Sequence, residues 1–498
     1  MPHKKNRSVS SYKAEALRVG ARLIDQKRYA DACTHYNTAC TIIKADPQLV
    51  FCLAVAFHLS KEYLIAIYYY CEAISLNKYY LEAFENLSEA QSELGLFSDA
   101  LISIRSAIKI NNSKSINFTR CAKILNYLGL HKESIEASTL AIELAPDSAI
   151  AYMIRSQAYR SQNMLDESIE DLKISIKLDS ENPEHAYNMA FDLLLRGDFL
   201  DGWELYEKRF LTRNFIDNSG IMISPRWNGS DNLNGKTILV CAEQGLGDQI
   251  QFCRYSIKLK ELGAKVILAV TPTLVELVKS IHSDILVVST EQSATSIAQH
   301  DYYIPLMSLL RIFKVSLENI YCPFRYLHPT PSAQEKWGRK IKKNGMLKIG
   351  VDWSGNQKHT NDRNRSINFN EFNSLFKINA EWHILQTDFK NDEISLIANS
   401  NLIDFTNELV DFNETAGLID QLDLVISVDT SVAHLASALG KATWILLPLA
   451  PDFRWLLKRN DSPWYKNIRL FRQTKSGIWS DVIQEISYEL RQFVNINI

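Results

Sequence analysis

Three stretches in the second half of the sequence combine glycine, hydroxyl, amide and charged residues more densely than a turn requires. The first, Glu243-Gln244-Gly245-Leu246-Gly247-Asp248, follows the apolar run Thr237–Ala242. Its glycines permit a sharp turn and leave room for a close ligand, and the helix expected after it presents free N–H groups. Asp248 stands at that helix start, either as an N-cap in a tight turn or as a carboxylate facing a cleft, with Glu243, Gln244, Gly245 and Gly247 beside it. The second stretch runs from Asp352-Trp353-Ser354-Gly355-Asn356 through Lys358 to Arg363, Arg365 and Ser366. Cations among Ser and Asn donors after a strand suit a diphosphate, because Arg and Lys make charge-assisted hydrogen bonds to phosphate oxygens. A solvated surface loop is the plainer alternative. In the third, Val428-Asp429-Thr430-Ser431-Val432-Ala433-His434, Thr430 and Ser431 open a helix whose N–H groups favour an anion. Asp429 could accept hydrogen bonds from sugar hydroxyls. His434 lies one turn on, on the face of Thr430, where it reads either as a core histidine or as part of the site.

These loops need strands before them and helices after them. Strands are expected at Thr237–Ala242, Lys265–Ala269, Ile285–Val288, Lys348–Val351, Trp382–Gln386, Leu424–Val428 and Thr443–Leu447. Helices fit between them at Gln249–Leu262, Thr273–Ile281, Phe369–Phe376, Glu414–Gln421 and Ser431–Leu439. That alternation predicts parallel α/β sheets, which bind ligands at the carboxyl ends of their strands. The polar stretch Leu327–Lys343 divides this half in two, giving units over 237–330 and 345–498.

The first half has a different grammar. Small residues recur every 34 positions at Ala32, Ala66, Ala100, Ser134, Ser168 and Gly202. A second series, Gly20, Ala54, Ser88, Ala122, Ser156 and Ala190, lies twelve positions earlier. A third, Ala39, Ala73, Ala107, Ala141 and Ser175, fails only at Arg209. Leu23, Phe57, Leu125, Tyr159 and Leu193 fill a large-residue slot in which Gln91 is the exception. Pro47, Pro146 and Pro183 sit where the second helix of a pair should stop. Small residues at helix crossings and large ones between them describe stacked antiparallel helix pairs over 12–212, followed by a Gly/Pro/Asn-rich linker at 213–236. The period and residue order resemble the tetratricopeptide repeat (TPR), in about six units. That resemblance implies a concave surface for a peptide or partner protein, with a spacer or dimerisation arm as the alternative. The tyrosines Tyr68, Tyr69, Tyr70, Tyr79 and Tyr80 either line that groove or, in alternate members, fill the core.

Composition narrows the setting. With 55 Lys and Arg against 57 Asp and Glu, the formal net charge of -2 lacks the footprint of a dedicated nucleic-acid binder. Apolar runs such as Leu49–Phe57 are far too short for a membrane span, and the basic N-terminus lacks an apolar signal region. Eight cysteines without a C-x-x-C pair argue against a zinc site or a disulfide framework and point to a reducing, cytoplasmic setting.

Taken in order, the three loops resemble those of the family 9 glycosyltransferases, which include the ADP-heptose:lipopolysaccharide heptosyltransferases. They are also similar to the TPR-linked members related to O-GlcNAc transferases. The resemblance covers about 225–485 and extends through Pro448–Trp455 and Asp461–Tyr465. It implies a TPR α-solenoid followed by a GT-B fold, two facing Rossmann-like domains with the donor held mainly by the second. By the same resemblance Asp248 is the catalytic base, and Ser354, Asn356, Lys358, Arg363 and Arg365 grip the donor diphosphate. Asp429, Thr430, Ser431 and His434 match the loop around sugar and phosphates, with Ser431 replacing a glycine common in heptosyltransferases. Glu243, Gln244, Gly245 and Gly247 fall on the acceptor side. The expected activity is inverting, metal-independent transfer from a nucleotide-sugar co-substrate, with no bound cofactor, to a protein such as flagellin that the repeats recruit. The alternatives are a lipopolysaccharide or other glycan acceptor, and a non-enzymatic TPR adaptor with a degenerate transferase half. Arg454 with Trp455 and Trp464 with Tyr465 are assigned either to the far wall of the cleft or, preferentially, to packing of the C-terminal helix against the first domain.

Overall fold

The computed structural model describes residues 9–212, 224–291, 299–356 and 361–497. The chain forms two compact units, Met1–His185 and Ala186–Ile498.

The first unit is a run of antiparallel helix pairs, α1 (Val9–Asp25) with α2 (Tyr29–Ile42), α3 (Pro47–Leu59) with α4 (Tyr63–Leu76), and α5 (Leu81–Glu93) with α6 (Phe97–Ile110). The pairs α7 (Ser115–Leu128) with α8 (His131–Leu144) and α9 (Ala149–Ser161) with α10 (Leu165–Leu178) complete it. This is a TPR-type solenoid, and the periodic small residues show why it forms. Ala32, Ala66, Ala100, Ser134 and Ser168 are fully buried. A Cβ on Gly20 would come within 2.1 Å of the Tyr36 ring. At three of the serines in small-residue slots the hydroxyl donates to a backbone carbonyl twelve positions away on the facing helix: Ser88 to Ala100 (2.9 Å), Ser134 to Ala122 (2.8 Å) and Ser168 to Ser156 (2.8 Å). Gln91, the polar exception in the large-residue slot, is held by the Ser103 hydroxyl at 2.7 Å. Pro47 and Pro183 prove to open the next helix rather than merely to stop the one before, and Asp46 caps α3 by accepting from the Gln48 and Leu49 N–H groups. Of the tyrosines, Tyr70 is core, Tyr69 stacks on Phe57 with ring centroids 5.6 Å apart, and Tyr68 and Tyr79 are exposed.

The boundary between the units falls inside α11 (Pro183–Arg196), ahead of the 213–236 linker read from composition, of which 213–223 lie outside the described residues. The reason is aromatic packing. From α12 (Phe199–Tyr206), the Trp203 indole donates to the Val315 carbonyl at 3.1 Å, and its ring lies 5.6 Å from that of Phe453. Phe199 lies 5.6 Å from Trp464.

The second unit carries two parallel sheets. The first has strand order β3-β2-β1-β4, with β1 Thr237–Cys241, β2 Lys265–Val270, β3 Ile285–Ser289 and β4 Tyr302–Pro305. The second has order β6-β5-β7-β8-β9, with β5 Lys348–Asp352, β6 Glu381–Ile384, β7 Leu424–Val428, β8 Ala442–Leu447 and β9 Ile468–Arg472. β5 and β7 are buried throughout, as continuous apolar runs covered on both faces should be. Two strands escape the sequence reading. β4 is short and ends on Pro305, while β9 is an edge strand whose apolar residues are interrupted by Arg469 and Arg472. The expected long helices after β1 and β2 are broken by 3₁₀ turns at Cys253–Tyr255, Pro272–Leu274 and Lys279–Ile281. Within Leu327–Lys343, the stretch read as a divider, Pro331–Lys340 forms a helix against Phe412–Asp420, where Trp337 donates to Glu414 at 2.9 Å. The C-terminal helix Ser480–Asn497 packs on the second sheet through Trp479, Val482 and Ile486, so the expectation that it packs on the first is corrected.

Candidate functional site

Each of the three loops leaves the carboxyl end of a strand: 243–248 from β1, 353–366 from β5 and 429–431 from β7. After β1, Gln244 takes a positive φ of 66° and the chain enters the helix Leu246–Phe252 at Gly245. Gly245, not Asp248, is the N-cap; Asp248, three residues on, reaches back to it, one carboxylate oxygen accepting the Gly245 N–H at 2.8 Å. Its other oxygen pairs with the Arg454 guanidinium, which arrives from the loop after β8. Capping bond and ion pair coexist on one carboxylate. Burial pushes the Asp248 carboxyl up from its ordinary range, against the pull of Arg454.

Arg454 is itself enclosed. Its Nε donates to Gln251 Oε1 at 2.7 Å and its Nη1 to Asp452 Oδ1 at 2.6 Å. The side chain therefore joins the helix after β1 to the loop after β8 through three hydrogen-bonded groups.

His434 forms the second node. Its ring stacks on Trp455 (centroids 5.3 Å apart, planes at 19°), and Nδ1 lies 2.9 Å from the Tyr465 hydroxyl. Its Nε2 lies 3.9 Å from Asp429 Oδ1. Burial, reinforced by the guanidiniums of Arg454, Arg254 and Arg365, holds this imidazole well below its usual pKa, so it is neutral at neutral pH. Asp429 is shifted up, first by burial and then by Asp452. A Cβ on Gly247 would lie 2.7 Å from the His434 ring, so glycine is what lets the first loop close on the third.

The second loop is held to the same place. Gln386 accepts the Ser354 N–H at 3.0 Å and donates to its hydroxyl at 2.8 Å. Gly355 donates to Ser366 at 3.0 Å, and a Cβ there would strike Arg365 at 2.4 Å. Arg365 donates to the Asp429 carbonyl at 3.0 Å and to Asp362 at 3.3 Å. Thr430 caps the helix Ser431–Ala438 and donates to Asp352, which also accepts from Ser427 at 3.0 Å. Asp352 is pushed up to about 6, chiefly by burial.

The structure thus gathers Asp248, Gly247, Ser354, Arg365, Asp429, Thr430, Ser431 and His434 around the facing strand ends. Arg363 is exposed on the short helix Asp362–Arg365, Asn356 and Gln244 are also exposed, and Lys358 lies outside the described residues. Glu243 is corrected. Rather than facing the cleft, its carboxylate takes Arg209 at 2.9 and 2.7 Å and the Met307 N–H at 3.0 Å. Arg209 is the residue that breaks the third small-residue series, and this ion pair explains the break. Gly245 is occupied by the cap. Gln251 and Gln386 are positions that the sequence reading leaves unassigned; Arg454, read there as cleft wall or packing, is instead the partner of Asp248, and Asp352 is the acceptor for Thr430 and Ser427. Arg454 and Asp248 are 206 positions apart, a separation that carries no local signal. The aromatics Trp455 and Tyr465 serve His434, and Trp464 packs between Phe199 and Phe252 at centroid distances of 5.6 and 5.5 Å.

Fold and site together define a TPR-type solenoid joined to a two-sheet parallel α/β unit with a charged cluster at the facing strand ends. No family model matches the sequence. Protein FlbA of Caulobacter vibrioides is 24% identical over 446 residues, spanning 83% of this chain and 73% of its own. The helix pairs end by Tyr206, so an alignment of that extent includes much of the α/β unit. Among solved structures, MamA is similar at 16% identity (TM-score 0.33), covering 35% of this chain and 96% of its own. YrrB, a TPR protein with an unusual peptide-binding site, matches at 16% identity (TM-score 0.31), covering 36% of this chain and 92% of its own. A thermophilic TPR protein of Thermus thermophilus matches at 20% identity (TM-score 0.30), covering 36% of this chain and 98% of its own. Among the described residues no helix is long and apolar enough to cross a membrane, and no group of three metal-ligating side chains occurs.

Proposed function

We propose that the second unit is a GT-B glycosyltransferase that moves a sugar from a nucleotide-diphosphate donor to a hydroxyl of a protein presented by the repeats. The observation that carries this reading is the convergence of three strand-end loops on His434, with a carboxylate on one side and Arg365 and Arg454 on the other. In the transfer, the acceptor oxygen bonds to the anomeric carbon while the bond from that carbon to the donor phosphate breaks. The hydroxyl proton passes to Asp248, and the electron pair leaves on the phosphate oxygen. Arg365 and the N–H groups opening the helix Ser431–Ala438 meet that charge. In this reading Asp429 accepts hydrogen bonds from donor hydroxyls and the Ser354 hydroxyl donates to a donor phosphate. Exposed Leu64, Tyr68, Tyr79 and Ile102 supply apolar surface for an acceptor protein on the repeats.

The test is a thermal-shift panel of ADP-, UDP-, GDP-, dTDP- and CMP-sugars on the full chain, followed by transfer assays. One donor class is expected to raise Tm, since a ligand at a hundredfold excess over Kd stabilises by about 2.7 kcal/mol. Asp248→Asn should keep that shift and lose transfer by roughly 10²- to 10⁴-fold. No shift with any donor would return the chain to the class of TPR adaptors.

A further inference from the structure

Both oxygens of Asp248 are engaged, one by the Gly245 N–H and one by Arg454. A carboxylate paired in that way is a poorer base toward a substrate hydroxyl than a free one, because both donors stabilise its charged form. Arg454 is fixed by Asp248, Asp452 and Gln251, yet two further donors beside this network are unmatched. The Gln251 amide Nε2 is buried without an acceptor among the described residues, although its oxygen receives Arg454. Arg254, fully buried, donates among the described residues only through Nη1, to the Trp464 carbonyl at 2.9 Å, and faces the rings of Tyr326, Trp464 and Tyr465 rather than a carboxylate. The seam therefore keeps buried N–H groups of Gln251 and Arg254 without acceptors among the described residues, beside a guanidinium whose partners are carboxylates. The loop that brings Arg454 turns at Leu456, a bulky residue held at a φ of 51°, and such backbone persists only where its surroundings impose it.

Building on the transferase reading, we propose that Arg454 is a shared switch: it blocks Asp248 in the unliganded protein, and the donor diphosphate takes it from Asp248 as it binds. Asp248 and the diphosphate then compete for one guanidinium, and the base is released only when the donor is in place. This ordering guards against proton transfer without a sugar to receive the acceptor oxygen. It rests on charge-assisted arginine pairing, which phosphate satisfies as well as carboxylate does: Arg454 reaches Asp248 through Nη2 alone.

Competition predicts an outcome that a merely structural ion pair does not. Removing the carboxylate should tighten diphosphate binding, because Arg454 no longer has to be taken from a partner. ADP, UDP, GDP, dTDP and inorganic pyrophosphate are titrated by calorimetry into the full-length wild type, Asp248→Asn, Arg454→Lys and the double variant Asp248→Asn/Arg454→Gln. The double variant removes both charges of the pair, which keeps the seam foldable if Arg454→Gln alone is not. For whichever probe binds the wild type, Asp248→Asn should bind about tenfold tighter and the double variant about tenfold weaker than Asp248→Asn. Arg454→Lys, which keeps the charge and loses the fork, should fall between. If the wild type binds and Asp248→Asn leaves affinity unchanged or weakens it, the switch is overturned and the transferase reading stands. If no probe binds the wild type, both fall together.

Discussion

At the scale of single residues the site is a set of buried carboxylates whose protonation the fold controls. Asp352 is held in the protein at a pKa of about 6, chiefly by burial, against an ordinary 3.8, while the hydroxyls of Thr430 and Ser427 pull it back down. The folded state therefore holds this proton more tightly than the unfolded chain does. Its contribution to stability is complete below the ordinary value and is lost as pH rises through about 6. Asparagine keeps an oxygen for both hydroxyls and does not titrate. Asp352→Asn should accordingly raise Tm at pH 7.5, by the equivalent of roughly 1–3 kcal/mol, and flatten the dependence of Tm on pH between about 4 and 7. A variant less stable than the wild type at pH 7.5 would contradict this. His434, neutral through burial and three neighbouring guanidiniums, contributes its ring face and Nδ1 rather than a charge.

At the scale of elements, the helix after β1 and the helix after β7 approach because Gly247 has no side chain. The imidazole that a Cβ would strike is stacked on Trp455 and fixed by Tyr465, so it has nowhere to withdraw. Gly247→Ala should cost on the order of 1–3 kcal/mol, read as a fall of several degrees in Tm. Gly245→Ala is the control: its nearest neighbour is the Asp248 carboxylate at 3.2 Å and its φ is -74°, so the loss should be distinctly smaller. Equal losses would refute the close-approach account. The repeats follow the same logic, a serine in a small slot adding a hydrogen bond worth about 1 kcal/mol without widening the crossing.

At the scale of the molecule, the last helix pair belongs with the α/β unit. Arg209 is buried against Glu243, Glu207 and Ser308, and Trp203 donates into the chain at Val315. A fragment of residues 183–498 should therefore fold cooperatively. A fragment beginning at 213, where composition places the linker, loses Arg209 and Trp203 and should be insoluble or melt well below it. Glu243→Gln in the full chain leaves Arg209 with Glu207 as its carboxylate partner and weakens two charge-assisted hydrogen bonds, which should cost about 1–3 kcal/mol. Comparable melting of the two fragments would place the boundary at the linker instead.

The helix pairs were legible in sequence because small residues recur at fixed spacing, and helix crossings tolerate little else. Strands such as β1, β5 and β7 were legible as apolar runs, and the loops after them as clusters of glycine and polar residues. β9 was not, because its five residues, Ile468-Arg469-Leu470-Phe471-Arg472, show neither strict alternation nor a continuous apolar run. The partners of the site residues were the other gap. Asp248 with Arg454 and Gly247 with His434 are distant in the chain and meet only when the two sheets face each other, and Glu243 meets Arg209 only when the last helix pair packs on the first sheet. The sequence by itself determined the class of each element and the chemical character of each loop, since both depend on local periodicity and side-chain type. Only the tertiary structure decided which carboxylate is a strut and which carries a guanidinium within reach of the cleft, because burial and pairing are properties of contacts between elements.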